Sequence, residues 1–464
     1  MKRRIIEYGL LGLLILSPLP AASVEEWAVF AIELAVALMA GAYILAEPKP
    51  ALNPHLPPVL KRLRPIAIAL FGLLLFQVVP LPAGFVRLIA PGSYNFRQLY
   101  APEFGRMKFM TLSIAPAATI GAGLFLATLF ILGFLVLHTV KHGRQIRTLL
   151  AVVVCSGAFQ ALYGLFELTR TEPRLLFYKK IFSPDSVTGT FVNRNHFSGY
   201  LEIIVPLALG LAMARMNMMT FGLKGFREKL LLWTSKGLLV NVLILAAAVV
   251  MGLGIALSNS RSGLAVLGFT AFLFLGLSVS AFSRTGFRQP WIGRTVRATF
   301  LCFTILALTV GIGSTIRRFA LDDLLHQDRP QYWSNTVQII RDFPLFGTGL
   351  GTFASAYGAY EKTSSNELLL VHAHNDFLEY FAELGLVGGA LLIGGVLYLA
   401  VSSYLAWRIR RNAQARALAL GGLVALAGIG LHAVTDFNLH IPANMVLFSV
   451  VLCLTLVMAY YRKS

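Results

Sequence analysis

Residues 237–282 read GLLVNVLILAAAVVMGLGIALSNSRSGLAVLGFTAFLFLGLSVSAF, two apolar runs joined by a short polar turn in which Arg261 is the single charge. Each run, Gly237–Leu257 and Gly263–Phe282, matches the roughly 20 residues that a helix needs to cross a bilayer. Outward from this hairpin, ten more stretches have the same character: Ile5–Leu19, Trp27–Leu45, Pro65–Val79, Ala115–Leu137, Leu149–Leu168, Gly199–Met213, Ala298–Ile312, Phe377–Leu405, Ala417–Val434 and Ala443–Tyr460. The first, third and sixth of the twelve are short for a full crossing. The composition agrees: 57% of the 464 residues are hydrophobic and only 13% are charged. A soluble domain carries roughly 25% charge, and half of that cannot coat a water-soluble surface of this size. A soluble globule, a disordered chain and a disulfide scaffold are excluded. The expected fold is therefore an all-α polytopic membrane protein with about twelve transmembrane helices, one integral membrane domain over residues 1–464. A large, partly helical outer loop over 313–376 should lie between the ninth and tenth spans.

The net charge of +19 would suggest nucleic acid in a soluble protein. Here it follows the membrane. With the Lys2-Arg3-Arg4 end inside, 25 of the 40 basic residues fall in inner segments and 15 in outer ones. Every inner segment has at least two, which predicts both termini on the cytoplasmic side. No nucleic-acid partner is called for, and the bilayer itself is the implied partner. The basic N-terminus before an apolar run also resembles a secretory signal, but Ala21-Ala22-Ser23 is a loose cleavage site and removal would invert the remaining spans, so an uncleaved first helix is expected. Cys155, Cys302 and Cys453 lie in separate spans without paired or metal-ligand spacing and read as packing residues.

Three outer loops are long: 80–116, 169–198 and 313–376. Long loops in compact proteins are usually functional or disordered, and these hold aromatic residues such as Tyr332, Trp333, Phe343 and Phe346. Chemistry is expected on the outer side. The second loop ends in a polar stretch, Thr188 to Glu202, with Asn193, Arg194, Asn195 and His196. Its bland reading makes an asparagine the helix cap and Glu202 a buried carboxylate satisfied by a neighbour. Arg261 stands against the positive-inside bias in the tightest outer turn, and its fork of donors suits a carboxylate or phosphate. In the third loop Arg329 precedes Tyr332 and Trp333. Gly347, Gly349 and Gly351 alternate, a weak signal that often marks only a closely packed loop. His372-Ala-His374-Asn375-Asp376 then runs into a helix, where Asp376 and Glu379 have capping-box spacing. His374 beside the positive end of that helix is favoured in its neutral, proton-accepting form. His372 is either its orienting neighbour or a surface residue. Metal binding by this His-x-His pair is open on residue types, yet no third and fourth ligand stand at fixed spacing, so none is expected. Asp436 and His440, in the short outer loop before the last span, are further contributors to consider.

Taken together, Gly189-Thr-Phe-x-Asn193-x-Asn195, Ser260-Arg261, Arg329 to Trp333, Gly347-x-Gly-x-Gly351-Thr-Phe, and His374-Asn-x-x-Leu378 with Glu383-x-Gly385 resemble the bacterial O-antigen ligase and O-antigen polymerase family. These motifs run over residues 189–388, which becomes the family-like catalytic region. The resemblance implies a membrane glycosyltransferase of the bacterial inner membrane, used in lipopolysaccharide or polysaccharide biosynthesis. It moves a glycan from undecaprenyl diphosphate, with inversion and at the periplasmic face, to a glycan or lipid A-core acceptor. It also implies no cofactor and no divalent metal. By the same resemblance His374 is the catalytic base and Arg261 and Arg329 hold the diphosphate. From their place in the same outer segments, Asn193, Arg194, Asn195, Glu202, His372, Asn375 and Asp436 are expected to line the site. The rival reading is a secondary transporter or lipid-linked glycan flippase, with Glu33 and Glu202 as intramembrane coupling groups. Against it, the polar residues gather on one face and the two halves show no repeat.

Overall fold

A computed structural model describes residues 2–46, 57–102, 104–220, 235–284, 305, 329–361 and 370–460. The chain is an all-α polytopic membrane protein. Its helices are α1 (Lys2–Leu16), α2 (Glu26–Ala46), α3 (Pro57–Val78), α4 (Ala83–Ile89), α5 (Pro91–Tyr100), α6 (Pro116–Thr139), α7 (Gly143–Leu168), α8 (Arg194–Thr220), α9 (Lys236–Leu257), α10 (Arg261–Arg284), α11 (Arg329–Asp342), α12 (Phe353–Tyr357), α13 (Asp376–Ile409), α14 (Ala413–His432) and α15 (Pro442–Tyr460). Among the described residues nine of these are long and apolar enough to cross a membrane: α2, α6 to α10 and α13 to α15. The first expected span is only the 15-residue α1, and the third, α3, spends its opening turns on Lys61, Arg62, Arg64 and an internal Pro65. The expected span Ala298–Ile312 lies outside the described residues.

Short polar side chains start the helices, because each helix N-terminus leaves amides without intrahelical acceptors. Ser235 accepts from the Leu238 amide at 3.2 Å, Ser260 from Gly263 at 3.1 Å, Asn375 from Leu378 at 3.1 Å and Asn412 from Ala415 at 2.9 Å. Each such cap stabilises its helix by about 1 kcal/mol.

The membrane-crossing part of α8 is buried throughout, and α14 and α15 are 78% buried, whereas α2 is only 28% buried. The bundle therefore has α8, α14 and α15 at its centre and turns its outer helices toward lipid. Small residues set the closest approach. A Cβ on Gly210 of α8 would stand 2.7 Å from the Ala417 carbonyl, and one on Gly421 of α14 would stand 2.6 Å from the Pro206 carbonyl, the close backbone packing that membrane helices favour. Cys155 faces outward and Cys453 is buried, both as free thiols.

Helix α13 is broken at Gly385, which takes φ 65° and ψ −176°. The break frees backbone groups, and the segment before α12 meets them. Thr348 N donates to Ala382 O at 2.9 Å and Gly349 N to Glu383 O at 2.9 Å, while Leu386 N donates to Pro344 O at 2.7 Å. The Glu383 carboxylate adds Gly351 N and Phe353 N, each at 2.8 Å. The alternating glycines are thus architectural: Gly347, Gly349 and Gly351 all have positive φ, and a Cβ on Gly347 would lie 2.2 Å from Glu383 O. A Cβ on Gly385 would lie 2.3 Å from Leu345 O. Gly385→Ala is therefore expected to cost about 3 kcal/mol or more and to remove the monodisperse peak in size-exclusion chromatography. Gly394→Ala, where a Cβ meets nothing within 4 Å, should behave as wild type.

Candidate active site

The polar residues meet at one end of the bundle, where α8, α10 and α13 begin and α14 ends. Their centre is Asp436, on the turn between α14 and α15, with no exposed surface. Burial costs a carboxylate unless donors surround it, and four do. Asn195 Nδ2 from the first turn of α8 lies 2.5 Å from Oδ2, and Arg329 Nη2 at the start of α11 lies 3.3 Å from the same oxygen. His374 Nδ1 is 3.2 Å from Oδ1, and the Phe437 amide donates to Oδ1 at 2.9 Å. His196 Nε2 stands 3.7 Å from Oδ1. Burial alone would push this carboxyl upward, but the imidazoles of His196 and His374 hold it well below the usual carboxylate range. It stays an anion, so a neutral His374 gives its Nδ1 proton to Oδ1 and keeps a lone pair on Nε2.

His374 has φ 51°, rare for a residue with a Cβ. Its carbonyl accepts from Trp333 Nε1 at 3.3 Å, its ring stacks against Tyr332 at 6.2 Å and it meets the Phe437 ring edge-on at 4.8 Å. Arg329, Tyr332 and Trp333 fall at i, i+3 and i+4 on one face of α11, which explains why that short segment acts as a unit. The His374 and Arg329 side chains remain 24% and 27% exposed over a fully buried Asp436. A proton acceptor and a permanent cation thus face solvent side by side, tied through one carboxylate.

The remaining residues singled out in the sequence have other places. Asn193 caps α8, accepting the Asn195 amide at 2.8 Å, and Arg194 is the first residue of that helix. Arg261 is the first residue of α10, and its turn is fastened to α8 by a 2.8 Å hydrogen bond between Ser258 and Ser198, one helical turn beyond Asn195. Glu202 does not join the Asp436 group; it pairs with His432 at 2.9 Å, both fully buried. Asn375 caps α13. That corrects the expected capping box, because Asn375 takes the cap position and Asp376 and Glu379 turn to histidines instead. Glu379 Oε1 lies 2.6 Å from His372 Nδ1, and its Oε2 takes the Ala373 amide at 2.8 Å. Asp376 Oδ1 lies 2.6 Å from His440 Nδ1. The orienting partner of His374 is therefore Asp436 rather than His372. His196 belongs to the same polar stretch, whose density of polar groups pointed to it, but its approach to Asp436 rests on a contact distant in the chain.

Residues 246–393 match the O-antigen ligase family model. The matched stretch contains Arg261, Arg329, His372 and His374 and leaves out Asn195 and Asp436. No curated protein matches the chain.

Proposed function

Taking membership of the O-antigen ligase family as premise, we propose that this protein transfers a glycan from undecaprenyl diphosphate to a sugar hydroxyl, on a glycan or on lipid A-core, at the periplasmic face of the bacterial inner membrane. Both termini are cytoplasmic in this reading, and 189–388 is the catalytic region of a single membrane domain. The observation that carries it is the pairing of His374 and Arg329 on the buried Asp436 at the helix ends.

In this mechanism the acceptor hydroxyl gives its proton to His374 Nε2 while its oxygen attacks the anomeric carbon from the side opposite the leaving group. The bond from that carbon to the diphosphate oxygen breaks and the configuration inverts. Asp436 stabilises the imidazolium that forms, while Arg261 and Arg329 offset the charge that grows on undecaprenyl diphosphate, the work that an ion does elsewhere. Asn195 holds Asp436 in place, and Asn193, Arg194, His372 and Asn375 shape the rim. The polyprenyl tail stays in hydrocarbon, which is why such a site belongs at a helix end.

The test is reconstitution with undecaprenyl-diphosphate glycan and either lipid A-core or a second lipid-linked glycan. Release of undecaprenyl diphosphate with glycan joining supports the transferase, and the product separates ligase from polymerase. Substrate-dependent proton or sodium flux without joining would replace it with a transporter. In the same assay Arg261→Lys should lower the rate on the order of tenfold, because a point charge replaces a two-pronged donor; an unchanged rate would remove Arg261 from the diphosphate site.

A further inference from the structure

Behind the Asp436 group lies a second cluster, of which the transfer mechanism uses only His372, at its rim. His372 sits on the segment leading into α13, Glu379 one turn inside α13, and His440 on the 3-10 turn Asn438–His440 before α15. One ligand-capable atom from each lies within 4.8 Å of the other two. Glu379 Oε1 is shared, 2.6 Å from His372 Nδ1 and 3.4 Å from His440 Nε2.

We propose that His372, Glu379 and His440 form a site for a divalent transition metal, of which Zn2+ is the fitting ion, and that the bound ion clamps the turn carrying His374 to the α14–α15 connection. The donor set points there. Two imidazole nitrogens and one carboxylate oxygen make a three-ligand zinc site with one position left for water, whereas Ca2+ and Mg2+ take oxygen shells. The surroundings fit as well. Asp376 Oδ1 takes the Nδ1 proton of His440 at 2.6 Å while its Oδ2 accepts the Leu439 amide at 3.0 Å. That is the outer carboxylate that fixes the tautomer of a ligating histidine, and it aims Nε2 at Glu379. Nε2 of His440 is buried without a hydrogen-bond partner. Burial alone would lower the pKa of His440, but the carboxylates of Glu379 and Asp376 raise it to about 9, so without a metal its imidazolium proton faces Glu379 Oε1 at 3.4 Å; a divalent ion would take the place of that proton among the three donors. Stacking on Tyr380 at 4.5 Å holds His440, and stacking on Phe437 at 4.2 Å holds His372. Donors around a tetrahedral zinc stand roughly 3.3 Å apart, so side-chain shifts of about 1 Å close the site.

The ion would not touch the diphosphate. It would join the approach to α13 with the turn before α15, the two segments that bring His374 and Asp436 together. The proposal stands apart from the glycosyltransferase reading, because metal binding is read without any glycan.

Purified full-length protein, stripped with a chelator, would be titrated with Co2+ and then Zn2+. One equivalent per chain is expected at micromolar concentration or below, with the visible absorption of tetrahedral cobalt, its displacement by Zn2+ and a raised thermal midpoint. His440→Gln and Glu379→Gln should abolish it, and Cys155→Ser should not. Asp376→Asn, which keeps all three ligands, should weaken binding about 10- to 100-fold. No stoichiometric binding in the wild type, or binding that survives in His440→Gln and Glu379→Gln, overturns the proposal.

Discussion

His374→Ala is expected to leave the protein in the membrane and to remove glycan transfer. A sugar hydroxyl is a poor nucleophile until its proton has somewhere to go, and a positioned base contributes roughly 10²- to 10⁴-fold. The fold should tolerate the change, since the side chain is 24% exposed and the local turn is also held by the Ala373 amide on Glu379 and by Trp333. Donor affinity should persist because the arginines are untouched. The measurement is glycan transfer at equal membrane abundance, and a wild-type glycan ladder would sink the assigned role.

Asp436→Asn should act almost as strongly by another route. The amide keeps the shape but removes the charge that selects the His374 tautomer and anchors Arg329 Nη2 and Asn195 Nδ2. A loss on the order of 10⁴-fold is expected, as when the carboxylate behind a catalytic imidazole is neutralised. Because the two residues act as a unit, the double variant should be little worse than His374→Ala alone; multiplicative losses would show that they work separately. The pH dependence follows from the sign of the shift. A carboxyl held below its unfolded value stabilises the fold above that value, about 3.9, and loses the contribution only as pH falls through its lower folded value. Asp436 therefore remains charged at pH 5 and above, and any acid limb in the rate above pH 5 has to survive in Asp436→Asn.

The class of the fold was legible because bilayer thickness is written as run length: 237–282 announces a membrane hairpin with no further information. Run length misleads at the margins. The apolar run that begins at Ile5 stops helping at Leu16, and Pro65–Val79 is only the apolar end of a longer helix with charged opening turns. At the site, chain-local chemistry was readable and chain-distant chemistry was not. The asparagines at 193 and 195 announced a helix start. Asp376 and Glu379 had cap spacing, yet the asparagine one residue earlier satisfied the amide, and the acids were left to histidines, Glu379 to the neighbouring His372 and Asp376 to the distant His440. His440 pairs across 64 residues with Asp376, and no spacing rule reaches that far. The alternating glycines could be suspected of close packing, but the break in α13 that they serve appears only when residues 344–349 are seen against 382–387.

Asp436 also ties the proposed site to the order in which the helices are made. Helices enter a membrane in the order of synthesis, and the side chains that meet this carboxylate, from Asn195 to His374, all precede the hairpin of α14 and α15 that delivers it. Until that hairpin is inserted, the base has no anchor. In the proposed mechanism, a chain that has not inserted α14 and α15 carries Arg261, Arg329 and His374 without the carboxylate that Arg329 and His374 share, and would not transfer glycan.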